Sequence, residues 1–130
     1  MDRDLSWDTD AAVLDAVGFL LETALRRQTW LFPLDDRHGS PAAVAIDDMP
    51  VDPDPEDVAR FAELLRELVT QVGAEEVVVV WERPGGPDLR MQEADWVAAL
   101  AGSGAPLRAQ LLVSDDGVRL LDPAFEALVV

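Results

Sequence analysis

The chain has no cysteine, no lysine and one histidine among its 130 residues. The lack of cysteine excludes disulfides and thiolate metal ligands, and it leaves the redox compartment open. All ten basic residues are arginine, set against 26 Asp and Glu, for a net charge of −16. A genome that prefers Arg, Ala, Val and Asp codons accounts for this usage, but the physical consequence does not depend on the origin. A surface this negative repels phosphate backbones and anionic lipids, so neither nucleic acid nor a membrane is an expected partner. A basic protein or a cation is attracted instead. No run of about 18 apolar residues is present, so no membrane-spanning helix is expected. The opening MDRDLSWDTD is acidic and polar, unlike a secretory signal, and a cytoplasmic location is the default expectation. There is no internal repeat and no low-complexity linker.

Apolar residues make up 49% of the chain, enough for an ordinary core in one domain over 1–130. Residues 1–8 read as a loose end that Trp7 pins to the core. From about Thr9 to Arg27, Val13, Leu14, Val17, Leu20, Leu21, Ala24 and Leu25 recur every three or four residues, which predicts an amphipathic helix. Asp8 or Thr9 caps its start, Arg26 and Arg27 suit its C-terminal dipole, and Gly18 inside it points to close packing against a neighbour. Thr29–Leu34 reads as a strand with Pro33 at an edge or at its end. A turn over Asp35–Ser40 and a second strand over Pro41–Ile46 complete a hairpin. The acidic, Pro-broken loop DDMPVDPDPED covers 47–57. Asp54 as N-cap, Pro55 in the first turn and Gly73 as stop frame a second helix. Glu75–Trp81 is a strand whose unbroken valines imply burial on both faces. A loop over Arg83–Arg90, a helix over Gln92–Ala101, strands over Leu107–Ser114 and Val118–Leu121 joined by an Asp115–Gly117 turn, and an apolar tail over 122–130 follow. The order α-β-β-α-β-α-β-β predicts an α/β domain of three layers with a mixed sheet. The helix between the second and third strands allows a crossover.

The candidate site is the stretch Val77–Asp95, VVVVWERPGGPDLRMQEAD. In α/β proteins, sites form where a buried strand ends and the next helix begins. Trp81, Glu82 and Arg83 occupy that position, with no His, Cys or Ser beside them to react. Trp81 offers flat contact area, Arg83 can grip a carboxylate in bidentate fashion, and the Gly85 and Gly86 N–H groups can bind an anion. The plainer reading puts Trp81 in the core, leaves Glu82 and Arg83 exposed, and gives the glycines to the turn.

On these residues the chain resembles the JAB/MPN metalloprotease-like family, in particular its RadC-like bacterial branch, a fold related to cytidine deaminases. TWLFPLDDRHG looks like the family's opening hairpin, EVVVVWERPGG like its valine-rich strand and Pro-x-Gly turn, and LLVSDDGVRLL like its closing strands. The likeness covers Gln28–Leu121. The family carries His-x-His-Pro-Ser-Gly at the turn, then a Ser and an Asp on the next helix. Here the two His positions fall on Trp81 and Arg83, the Ser on Met91 or Gln92, and the upstream Glu near Gln28. Asp95 best matches the Asp but lies one residue too far along. Only Asp95 of this set can ligate a metal, whereas a catalytic zinc takes about three protein ligands. The resemblance therefore implies a degenerate member without metal or other cofactor, a non-catalytic protein-binding or scaffold domain with a protein partner of basic character.

Other features carry less. Asp47, Asp48, Asp52, Asp54, Glu56 and Asp57 can collect a hard cation, but the spacing is not that of an EF-hand and prolines stiffen the loop. His38, beside Asp35, Asp36 and Arg37, has only Ser40 nearby and reads as an exposed turn residue. Trp96 reads as core. Two further functions stand as alternatives: a divalent-cation hydrolase using Asp47, Asp48, Glu82 and Asp95, and a self-assembling module or homodimer built on Phe125, Leu128, Val129 and Val130.

Overall fold

The structure, a computed structural model, describes residues 7, 9–21, 24–35 and 43–122. Its elements follow in the order α1 (Asp10–Leu20), β1 (Gln28–Leu34), β2 (Val44–Ile46), α2 (Pro55–Val72), β3 (Glu76–Glu82), α3 (Met91–Ala101), β4 (Leu107–Ser114) and β5 (Gly117–Leu121). The strands form one open, mixed sheet in the order β2-β1-β3-β4-β5. β1 is antiparallel to both β2 and β3, β3 is parallel to β4, and β4 and β5 form an antiparallel hairpin. β2 and β3 flank β1 and run the same way, so α2 carries the chain across β1. Helix α3 then links the neighbouring parallel strands β3 and β4.

β3 is the centre of the sheet, and Val77 to Val80 are each 0% exposed. Strand alternation sends Val78 and Val80 into a cluster with Val13, Ala16 and Val17 of α1. Val77 and Val79 point the other way, onto Phe61 and Leu65 of α2 and Trp96 and Leu100 of α3. A strand packed on both faces has no solvent side to keep polar, which is why the valines run without a break. Trp7 is buried against Phe32 with ring centroids 5.4 Å apart, so it does pin the chain to the sheet.

Several local signals act as expected. The Thr9 hydroxyl accepts the Ala12 N–H at 3.0 Å. Gly73 takes φ +72° beyond α2, a conformation that favours glycine, and its N–H reaches the Val69 carbonyl. Pro33 lies near the end of β1, past the last described pair with β2. Asp54 stands at the N-cap of α2, but its side chain makes no capping bond.

The first helix is shorter than its apolar pattern. It ends at Leu20, and Arg26 and Arg27 lie beyond it. Tertiary bonds claim the backbone that would have continued it: the Ala24 N–H donates to Ser114 of β4, and the Leu25 and Arg26 N–H groups donate to Glu82. Gly18 faces open space rather than a close neighbour, so close packing does not explain it. The Asp35–Ser40 turn, the start of the second strand at Pro41, the loose end (Trp7 apart) and the tail from Pro123 lie wholly or mostly outside the described residues.

Leu65 is fully buried between α2 and the sheet. Leu65→Ala is expected to lower unfolding stability by about 2–5 kcal/mol. The check is a lower urea midpoint at an unchanged slope.

Candidate functional site

The start of β1, the end of β2 with the loop before α2, the C-terminal end of β3 and the start of α3 enclose a cavity of about 170 Å³. Strand alternation builds it. Trp81 follows Val77 and Val79 onto the α2/α3 side, where its ring meets Phe61 at 6.0 Å and Trp96 at 5.8 Å between centroids. Both indole N–H groups are tied inward. Trp81 donates to the Gln110 side chain at 3.0 Å, and Trp96 donates to the Pro50 carbonyl at 3.0 Å. The cavity is thus left the apolar surfaces of both rings, together with Ile46, Met49, Val51, Leu89 and Val97.

Glu82 turns to the opposite face. It is 3% exposed, so the plainer reading, which left it exposed, is corrected. One carboxylate oxygen accepts the Leu25 N–H at 2.7 Å and the Arg26 N–H at 3.3 Å; the other accepts Gln28 Nε2 and Trp30 Nε1, each at 2.8 Å. Burial alone pushes this carboxyl up, but the bonds from Leu25, Trp30, Gln28 and Arg26 together hold it below its ordinary value of 4.5.

Arg83 is also buried, 5% exposed, rather than on the surface. Alternation returns it to the α3 side, where its guanidinium grips Glu93 at 2.8 and 3.2 Å. Its remaining donors close the Pro-Gly-Gly-Pro loop by bonding the carbonyls of Gly86 and Asp88. The carboxylate that Arg83 can grip is therefore an internal one. The glycines serve this closure. Gly85 has φ +113°, and a Cβ there would stand 3.3 Å from the Arg83 guanidinium. The Gly85 N–H donates to the Asp115 carboxylate at 3.0 Å, and neither glycine lines the cavity.

Asp95 is exposed and outside the cavity lining. Of the acidic loop, Asp47 pairs with Arg26 at 2.8 Å, and Glu56 and Asp57 lie near Arg60. Asp48, Asp52 and Asp54 are exposed. No three His, Cys, Asp or Glu side chains converge among the described residues, so the carboxylates assigned to a hydrolase are not brought together. His38 and Ser40 lie outside the described residues. Among these, no helix is long and apolar enough to cross a membrane.

Sequence reasoning missed Gln110, whose amide bridges Trp81 to the Val97 carbonyl of α3. It also missed Arg27, which holds the acidic loop by the Met49 and Pro50 carbonyls. Glu93, at the third position of α3, accepts the Arg90 N–H at 2.8 Å, the Glu half of a capping box whose usual Ser or Thr at the N-cap is missing here. No protein-family model matches the chain, and no curated protein matches it.

Two outcomes follow from this geometry. A protonated Glu82 would turn an O–H toward its donors, as the amide of Glu82→Gln turns an NH₂. Because the folded carboxyl titrates below the unfolded one, its stabilisation is present above the unfolded value and is lost as pH falls through the folded value. Glu82→Gln is expected to be less stable than wild type at pH 7, with the gap closing below about pH 4. Urea unfolding of both proteins across pH 3–7 measures it. Arg83→Ala strands Glu93 and opens the loop, and is expected to cost about 3–5 kcal/mol in the same assay.

Proposed function

We propose that the chain is a non-catalytic protein-binding domain resembling an inactive JAB/MPN module, with its recognition surface at the cavity end of β3. The carrying observation is that the polar groups at the mouth of the central strand are consumed internally. Glu82 accepts four donors, and every side-chain bond that Arg83 makes ends on Glu93 or on the 86–88 backbone. What the cavity offers there is aromatic and apolar surface, rimmed by the exposed Arg27, Asp47, Arg90 and Gln92, and this suits contact more than chemistry.

The element order, the hairpin at each edge of a mixed sheet, and the split of α1 from α2 and α3 across β3 support the resemblance and the three-layer arrangement it implies. At the family's two His positions stand a half-buried Trp81 and a buried Arg83. A net charge of −16 favours a basic partner and an intracellular, water-borne setting, and works against close association of like copies.

The test uses Val51, which lines the cavity yet is 59% exposed, so a charge there spares the core. Val51→Asp is expected to keep the wild-type unfolding midpoint while losing partner capture from the native host by about ten-fold. Unchanged capture by this variant would count against the surface. Stoichiometric zinc in protein purified from that host would end the non-catalytic reading.

A further inference from the structure

Arginine is scarce here and carboxylate is abundant, so each guanidinium has partners to choose from. Arg26, Arg60, Arg66, Arg83 and Arg108 each face one. Among the described residues, Arg27 and Arg90 face none. Arg27 donates only to the carbonyls of Met49 and Pro50, and no carboxylate among the described residues reaches the Arg90 guanidinium. Both line the same cavity, the one floored by Trp81 and Trp96.

From this coincidence we infer that the cavity binds a small apolar monocarboxylate, with its hydrocarbon body on the two indoles and its carboxylate between Arg27 and Arg90. The size fits. The cavity is about 170 Å³, and an apolar cavity of about 150 Å³ holds benzene. The charge fits as well. Asp47 is spent on Arg26 and Glu93 on Arg83, which leaves Glu82 as the one lining carboxylate without a cation. Its oxygens are filled by four neutral donors, and the guanidiniums of Arg27 and Arg90, which face no carboxylate among the described residues, outnumber it. A cation stacked on Trp81 and Trp96 would meet those same guanidiniums, so the aromatic floor does not select a cation. Guanidinium and carboxylate match in fork geometry, and an acid with an aromatic ring uses both halves of the site. This goes beyond the protein-binding reading and does not depend on it, because the purified chain alone suffices to test it.

The probe is phenylacetate, titrated into the full-length chain and followed by tryptophan emission and calorimetry. Saturable binding with a Kd below about 1 mM is expected, and phenylacetamide, the same shape without the charge, should bind about ten-fold more weakly. Arg27→Gln and Arg90→Gln should each cost about ten-fold, whereas Arg60→Gln, at an exposed site on α2, should bind as wild type does. Both arginines are exposed, and matching unfolding midpoints verify that the variants fold. Equal binding of the amide, wild-type affinity in either cavity variant, or no saturation by about 10 mM would overturn the inference. A short peptide ending in a free Phe carboxylate that binds about ten-fold more tightly than phenylacetate would overturn the small-acid source.

Discussion

The carboxylate of Glu82 holds the top of this sheet together. It is a buried anion at the end of the central strand, and it is held by neutral donors alone. Leaving such a charge unsolvated in a protein interior costs several kcal/mol, of order, unless dipoles replace the lost water. The Leu25 and Arg26 N–H groups, the Gln28 amide and the Trp30 indole supply that replacement. They come from one continuous stretch, so satisfying Glu82 also dictates where the chain runs between α1 and β1. That route ends α1 early, aims Arg26 at Asp47 and sets Arg27 beside the loop before α2.

Glu82 and Arg83 are adjacent and opposite in charge, yet they do not pair with each other. A strand turns successive side chains to opposite faces, so each builds a separate wall. Glu82 fastens the α1 side of the sheet, and Arg83 fastens α3 and the 84–88 loop through Glu93, Gly86 and Asp88. Between the two walls the indoles are held by Gln110 and Pro50. The cavity is therefore rigid at its floor and framed by satisfied polar groups. Preorganisation of this kind favours recognition of an apolar body, since little side-chain freedom remains to be lost on binding.

Much of the fold was legible because it rests on local physics. The run Val77–Val80 required burial on both faces, and it lies at the centre of the sheet. Asp54-Pro55 and Gly73 framed α2, and Gly117 opened the closing hairpin, because first-turn proline and positive-φ glycine are properties of single residues. The length of α1 was not legible. Its apolar period continues to Leu25, and only the bonds from Glu82 and Ser114, far along the chain, interrupt it. The site was legible in place but not in chemistry. Trp81, Glu82 and Arg83 were found by their position after the valines. That Glu82 and Arg83 are buried depends on Gln28, Trp30 and Glu93, and no spacing rule pairs a strand-end charge with those residues. Asp95 was chosen by motif position, and the rotation of α3 leaves it exposed while Trp96 turns inward.

The same constraint explains why the two arginines that face no carboxylate among the described residues both line the cavity. In a chain of net charge −16, an arginine left alone finds a carboxylate unless backbone geometry prevents it. Arg27 is prevented because its guanidinium spans the carbonyls of Met49 and Pro50, which the Trp96 indole helps to fix. Arg90 does not take Glu93, one turn along α3, because that carboxylate is already shared between Arg83 and the helix start. The internal bonds that remove Glu82, Arg83 and Glu93 from chemistry are thus the ones that keep Arg27 and Arg90 available. A frame that satisfies its own polar groups this fully leaves two arginines on the cavity lining that face no carboxylate among the described residues.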